Sequence, residues 1–196
     1  MLTQLSTVKS RLALTVTDYD GLLTSAIKAV SNRFDKETKR TLARSTGLTD
    51  EFDSATTEVA VSCYPIEAVT KFELKPNETD GWSEQTGVQY LIRRACVISL
   101  LSPLYLLPSS STPALARVTY TGGYVLPGTT PSAGQTALPD DLEQAAVEQV
   151  AWWFRNRDNT GLIRTWPHDG TYEAFLQSDL LLEVKAVLKK YQRLVL

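Results

Sequence analysis

The stretch from Leu138 to Arg164, LPDDLEQAAVEQVAWWFRNRDNTGLIR, decides the fold of the helical part of this 196-residue chain. Pro139 followed by two aspartates is a helix start signal, because proline fits the first turn and acids suit the positive helix end. Apolar residues then recur at helical spacing: Leu142, Ala146, Val150 and Trp153. The pattern predicts an amphipathic helix that needs a packing partner.

Two further helical patterns at the ends of the chain supply such partners. Near the N terminus an apolar face runs from Leu22 to Phe34, and its basic half, Lys28 to Arg44, is followed by Gly47 as a stop signal. Near the C terminus a second stripe contains Leu180, Val184, Val187, Leu188 and Tyr191. We expect the helices from both ends to pack against the helix from Pro139.

Between the helical ends, apolar residues alternate with polar ones, which is typical of β-strands. The alternation includes Val59, Val61 and Cys63, then Phe72 and Leu74, then Val88, Tyr90 and Ile92. The sequence therefore predicts an α+β fold. Its small helical bundle comprises residues 1–47 and 138–196, an antiparallel β region of about five short strands is inserted at 48–121, and 122–137 form a long loop.

Composition and charge exclude several classes of protein. Hydrophobic residues make up 43% of the chain, enough for a packed core, and the net charge of −2 argues against a dedicated nucleic-acid binder. The N terminus lacks the apolar core of a signal peptide, and the longest apolar run is too short to span a bilayer. We expect a protein made in the cytoplasm, without membrane association.

Residues that could carry catalysis are few and scattered. The single histidine, His168, lies beside Asp169 in a loop sequence, and adjacent residues seldom point at each other. Cys63 and Cys96 are far apart and fit two buried thiols rather than a metal site or a disulfide. The sequence therefore predicts no enzyme activity, no cofactor and no metal, and we look for interaction surfaces instead.

Two surfaces are candidates for binding other proteins. The C-terminal segment combines a cationic face with an apolar end, which either packs in the chain's own core or binds a partner; its residues are Lys185, Lys189, Lys190, Arg193, Leu194, Val195 and Leu196. The basic run Lys28 to Arg44 is the alternative. Trp152 lies off the helical stripe and is predicted to contact either another subunit or the β region. The loop residues Tyr124, Val125 and Leu126 are predicted to contact another subunit, with the loop ordering on assembly.

Three ordered motifs resemble one protein family, the head–tail connector (adaptor) proteins of tailed bacteriophages. The first is Asp18-Tyr19-Asp20-Gly21-Leu22-Leu23 with the helix that follows it. The second is Tyr64-Pro65-Ile66-Glu67-Ala68-Val69, similar to a turn between strands in that family. The third is Tyr120-Thr121-Gly122-Gly123-Tyr124 followed by Leu138-Pro139-Asp140-Asp141-Leu142. Together they span most of the chain.

The resemblance implies a non-enzymatic structural protein of the virion, located at the capsid–tail junction. It implies a homo-oligomeric ring, commonly of twelve copies, that lies beneath the portal protein, extends the DNA channel and docks a stopper or tail protein. In several members the C-terminal segment binds the portal, and the mild net charge suits transient, non-specific contact with packaged DNA.

Two other readings stay open at the level of sequence. One is another ring component of the neck or tail, such as a stopper or tail terminator, although those proteins are mostly β. The other is a ligand-binding module or an enzyme carried by the β region, which would need a clustered polar pocket.

Overall fold

The computed structural model describes residues 1–104, 114–159 and 180–193. In this part of the chain, helices and antiparallel sheets form an α+β fold, as predicted. The chain divides into two compact units. A helical unit comprises Met1–Thr38 and Leu138–Gln192, and a β unit comprises Lys39–Ala137 together with Arg193. The N- and C-terminal helices thus share one unit, and the β region is inserted between them.

The helical unit is organised around its third helix. Its α-helices are α1 (Leu5–Leu12), α2 (Asp20–Thr38), α3 (Asp140–Arg155) and α4 (Leu182–Lys190), and a 3-10 turn covers Arg157–Asn159. Helix α3 contacts α1, α2 and α4, so the prediction that helices from both chain ends bury it is confirmed. Its buried side chains include Leu142, Ala146, Val150 and Phe154. No helix in the described ranges is both long and apolar enough to cross a bilayer.

The predicted continuation of α2 through the basic run to Gly47 is wrong. The helix ends at Thr38, and Lys39 adopts a left-handed conformation with φ of 54°. Beyond it the chain is extended: Thr41 and Ala43 form isolated parallel bridges with Cys63 and Tyr124. The reason is tertiary, because this segment pairs with distant residues of the β unit rather than continuing a solvated helix face.

The stripe of α3 also differs from the prediction at its C-terminal end. Trp153 is only half-buried, whereas Phe154 is buried and its ring packs edge-to-face on Tyr19 at 5.3 Å between centroids. Trp153 is in the last turn of the helix, and the large tryptophan side chain is rarely enclosed completely. Phe154, not Trp153, is therefore the aromatic anchor of α3.

The β unit contains two antiparallel sheets and a short parallel pair. Its strands are β1 (Ser45–Asp53), β2 (Glu58–Ala60), β3 (Ile66–Lys75), β4 (Ser83–Gln85), β5 (Tyr90–Arg93), β6 (Val97–Leu100), β7 (Leu115–Gly122), β8 (Tyr124–Val125) and β9 (Thr136–Ala137). One sheet has the order β1-β7-β3-β4, the other β2-β6-β5, and β8 pairs with β9. An apolar cluster contains residues from both sheets, including Val59, Phe72, Leu74, Ile98, Val118 and Tyr120.

Strand β1 is absent from the sequence prediction of about five strands. On its inward face Asp50 lies between Leu48 and Phe52, which breaks the apolar alternation that marks a strand. Only the tertiary structure reveals why an acid is tolerated there. The region predicted as a long loop, 122–137, contains a short parallel pair, β8–β9, near its two ends.

Candidate interaction surfaces

Three predicted portal-binding lysines lie on the outer side of α4. Lys185, Lys189 and Lys190 are exposed, while Val184 and Leu188 on the same helix are buried in the helical unit. The helix is also fixed by the hydroxyl of Tyr191, which donates a hydrogen bond of 2.6 Å to Asp141 Oδ1. The helix is thus anchored by its own unit, and its lysines remain available as a cationic face.

The residue Arg193 is placed differently from these lysines. Its guanidinium donates a hydrogen bond of 2.7 Å to the carbonyl oxygen of Ala60 in β2, and it belongs to the β unit. The remaining residues of the predicted portal interface, Leu194, Val195 and Leu196, lie outside the described residues, as does His168. The predicted interface is therefore divided between the two units.

The predicted subunit contacts differ in what they offer to a partner. Tyr124 and Val125 are buried within the chain itself. The backbone of Tyr124 is held on both sides, since its N–H donates to Leu42 and its carbonyl accepts from Arg44, both at 2.8 Å. Leu126 and Trp152 are half-buried. The subunit contact at these four residues stays a prediction, in which Leu126 and Trp152 offer more accessible surface.

Two glycines that precede β8 have a structural role. A Cβ on Gly122 would lie 2.6 Å from the carbonyl oxygen of Cys63, and one on Gly123 would lie 2.7 Å from that of Ala43. Both distances are shorter than a side chain allows, so only glycine lets these backbones approach so closely. The glycine pair thus belongs to the packing of the β unit and is no phosphate-binding loop.

Several cations of the alternative basic run are engaged within the chain. Arg44 makes a two-pronged ion pair with Glu67 at 2.7 and 3.1 Å, and these hydrogen bonds lower the pKa of Glu67. Arg40 is buried, with its guanidinium 3.2 Å from the ring centre of Tyr64. The run does provide exposed cations, namely Lys28, Lys36 and Lys39. It is therefore a weaker electrostatic surface than the sequence indicates.

A buried polar network that sequence reasoning missed joins β1 to β7. The side chain of Tyr120 is fully buried; its hydroxyl donates to Asp50 Oδ2 at 2.7 Å and accepts the N–H of Cys63 at 3.0 Å. Asp50 also accepts the N–H of Ser62 at 2.7 Å. Burial raises the pKa of Tyr120, which keeps the phenol in its hydrogen-bonding form. The network satisfies the inward-facing acid and serves packing.

A second unforeseen cluster lies on the opposite face of the same sheet. Arg117 of β7 donates to both carboxylate oxygens of Glu73 at 2.7 and 3.0 Å, and Lys71 adds a third contact at 3.0 Å. The Arg117 guanidinium also stacks 4.2 Å from the ring centre of Trp82. Glu73 is buried, so the ion pair fixes the register of β3 and β7 at this point.

The described residues contain no group of three or more histidine, cysteine, aspartate or glutamate side chains arranged to hold a metal ion. Cys63 and Cys96 are both buried, as predicted.

No protein-family model and no curated protein sequence matches the chain. Solved structures do match its fold. A chain in the neck of an empty GTA (gene transfer agent) particle, computed with C6 symmetry, superposes with a TM-score of 0.58 at 16% identity and covers 98% of this chain and 90% of that one. A chain in the virion of a native GTA particle gives 0.55 at 16% identity, with the same coverage.

A third match is a chain in the neck of a native GTA particle, computed with C12 symmetry. It has a TM-score of 0.51 at 15% identity and covers 89% of this chain and 84% of that one. The likeness in all three cases extends over nearly the whole chain, helical and β units alike. At such low identity it establishes a shared fold.

Proposed function

We propose that this protein is a head–tail adaptor of a tailed phage or phage-like particle. In this proposal, copies form a ring of twelve at the capsid–tail junction, beneath the portal. The ring extends the DNA channel and presents a surface to the stopper or tail protein. The observation that carries the proposal is the match of nearly the whole chain to neck components of a virus-like particle.

The order of motifs in the sequence supports the same function independently. The first motif that resembles connector proteins lies at the start of α2 and the second at the start of β3. The third runs from the end of β7 into β8 and continues at the entry to α3. The motifs thus mark the starts of α2 and α3 in the helical unit and of β3 in the β unit, and they occur in the order that the resemblance to connector proteins implies. The twelvefold symmetry applied to one matching neck supports the proposed copy number.

The cationic face of α4 is the proposed contact with the portal. Lys185, Lys189 and Lys190 are exposed and lie on a helix whose own core is already satisfied by Val184 and Leu188. Exposed charges of this kind accelerate encounter with an oppositely charged partner and give it orientation. The mild net charge of the chain suits a channel wall past which DNA moves with only transient contacts.

The experiment mixes the purified full chain with portal rings of its own particle, and measures co-sedimentation and ring formation by electron microscopy. Replacing Lys185, Lys189 and Lys190 by glutamate should abolish co-sedimentation. The matched control replaces three exposed residues of the alternative run, Lys28, Lys36 and Lys39, by glutamate and should bind as the parent does. A chain truncated after Lys190 tests the contribution of the last residues.

Each result leads to a different assignment. Loss of binding only in the variant of Lys28, Lys36 and Lys39 would transfer the portal contact to the basic run. Failure of the unaltered chain to bind portal, combined with binding to a tail-side ring, would favour the alternative that the protein is another neck component. Binding to neither would overturn the proposed function.

A further inference from the structure

We propose that neighbouring copies of this chain contact each other through two different edges of the β unit. The edge at β5 of one copy, apolar and basic, lies against the acidic edge at β1 of the next. The inference rests on the proposed ring, and it names the surface through which the ring closes.

The first edge is the open side of β5. Within the described residues, β5 pairs with β6 alone and so ends its sheet. Leu91 and Ile92 point to opposite faces, yet they are 52% and 40% exposed. Leu101 lies next to this edge, because its N–H donates a hydrogen bond of 3.0 Å to the carbonyl of Gln89. Its side chain is 59% exposed. Soluble proteins seldom leave such an edge uncovered, so it marks an interaction site.

Basic residues border this apolar edge. The turn after β5 is closed by the N–H of Cys96, which donates to Arg93 at 3.2 Å, and Arg94 in that turn has a left-handed φ of 51°. Glycine or asparagine is favoured at such a position, yet the sequence keeps an exposed arginine there. Arg93 pairs with Glu58 at 3.2 Å through two well-exposed side chains, which is a weak bond that a partner can replace.

The second edge, at β1, has the opposite character. Strand β1 pairs with β7 alone among the described residues and ends the four-stranded sheet. Glu51 and Asp53 are exposed on its outward face, and the strand contains no basic residue. Leu115, which pairs with Asp53 from β7, is exposed behind them and supplies an apolar surface. Glu51 lies opposite Arg117 of β7, but that guanidinium is bound by Glu73, so the edge strand itself stays acidic and complementary in charge to the β5 edge. Each edge includes exposed leucine.

The connections between strands place these edges on opposite flanks of the β unit. Strands β1 and β2 are joined by residues 54–57 and lead their sheet orders, whereas β4 and β5 are joined by 86–89 and end them. Short connections keep consecutive strands near each other, so the edge of β1 and the edge of β5 point apart. A head-to-tail contact requires two unlike surfaces on each copy, and it closes into a ring when the rotation between neighbouring copies closes.

The experiment cross-links single cysteines introduced into the full chain, using a short bismaleimide. Two samples are compared: the chain alone at high concentration, and the chain mixed with portal rings. One chain carries Leu91→Cys and another carries Glu51→Cys. The native cysteines are buried, so the unaltered chain is the blank. The matched control is Leu22→Cys on α2, because Leu22 is 50% exposed, as Leu91 nearly is, but lies in the helical unit.

A mixture of the Leu91→Cys and Glu51→Cys chains should give covalent dimers, either as the free chain at high concentration or in the presence of portal rings. A chain that carries both cysteines should give a ladder of multimers. Leu91→Cys alone, and Leu22→Cys mixed with Glu51→Cys, should give none. Adding Arg94→Glu to the Leu91→Cys chain should lower the yield of covalent dimers several-fold. The charge-reversal test then uses Asp53→Cys in place of Glu51→Cys as the second cross-linking site. Adding Glu51→Arg to the Asp53→Cys chain should restore the yield with the chain that carries Leu91→Cys and Arg94→Glu.

Dimers no more abundant than in the Leu22→Cys control, in both samples, would overturn the inference, as would equal cross-linking of Leu91→Cys with itself. Co-sedimentation with portal is recorded in the same samples. If the chain binds portal as rings without the cross-link, the edge contact fails and the adaptor function stands. If the cross-link forms but portal binding is absent, the edge contact stands and the adaptor function fails.

Discussion

The phenolic hydroxyl of Tyr120 donates a 2.7 Å hydrogen bond to the carboxylate of Asp50, which faces inward from the edge strand β1. Tyr120 belongs to β7, the neighbour of β1, and its ring is fully buried. An inward-facing charge on an edge strand disfavours indiscriminate pairing with other strands. Its cost to the fold is offset because hydrogen bonds from Tyr120 and Ser62 satisfy the carboxylate.

Replacing Tyr120 by phenylalanine should lower the free energy of unfolding by about 1–3 kcal/mol, because Asp50 and the N–H of Cys63 both lose a buried partner. Urea denaturation measures the change. Tyr90→Phe is the control, since the Tyr90 hydroxyl makes no hydrogen bond to the described residues and its ring is half-buried. Equal effects of the two substitutions would show that the network contributes nothing to stability.

Replacing Leu142 by alanine should destabilise the helical unit by about 2–5 kcal/mol, because its fully buried side chain leaves a cavity between α3 and its partners. The matched control is Leu22→Ala, where the leucine is half exposed on α2. Thermal unfolding followed by circular dichroism distinguishes them. A Leu142 variant that melts with the control would mean that this stripe is not the core.

Gly122→Ala should destabilise the β unit by about 1–3 kcal/mol or more, since the added methyl meets the carbonyl oxygen of Cys63 and the surrounding backbone must shift. Gly21→Ala should have the opposite sign, because Gly21 is helical, has open space around its Cα and gains helix propensity of about 1 kcal/mol. Chemical denaturation of both variants tests this. Equal signs would contradict the close approach at Gly122.

The ion pair of Glu73 predicts a pH dependence of stability. Hydrogen bonds from Arg117 hold the pKa of Glu73 below its ordinary value of about 4.3. A carboxylate with a lowered folded-state pKa contributes stability above its unfolded pKa, and that contribution is lost as the pH falls through the folded pKa. Melting temperatures of the parent should therefore drop in acid below about pH 4.3.

The same measurement on Glu73→Gln should show a lower melting temperature at neutral pH and a shallower drop in acid. The control is Glu84→Gln, because Glu84 is exposed and opposes Glu73 on β4. Parallel acid profiles for the parent and Glu73→Gln would show that this pair does not govern acid stability.

Sequence periodicity predicted most of the helical unit, except for the end of α2 and the aromatic anchor of α3. The start of α3 beside Pro139, its buried residues up to Val150 and the stripe of α4 with Leu180, Val184 and Leu188 follow from local spacing, because a helix is built from contacts between near neighbours in sequence. The α+β class followed similarly, because apolar residues have helical spacing at the two ends of the chain and alternate with polar residues in the middle. The likeness to connector proteins rested on short motifs in the right order.

Tertiary structure decided the rest, for reasons that local patterns cannot express. Helix α2 stops at Thr38 because the next residues pair with distant residues of the β unit. Asp50 is tolerated inside a strand because Tyr120, seventy residues away, supplies a hydroxyl. That β1 and β5 each lie at the end of a sheet follows from the order of strands in the two sheets. Strand order and long-range hydrogen bonds join residues far apart in the chain, so they are determined by the packing of the whole β unit and not by any one segment.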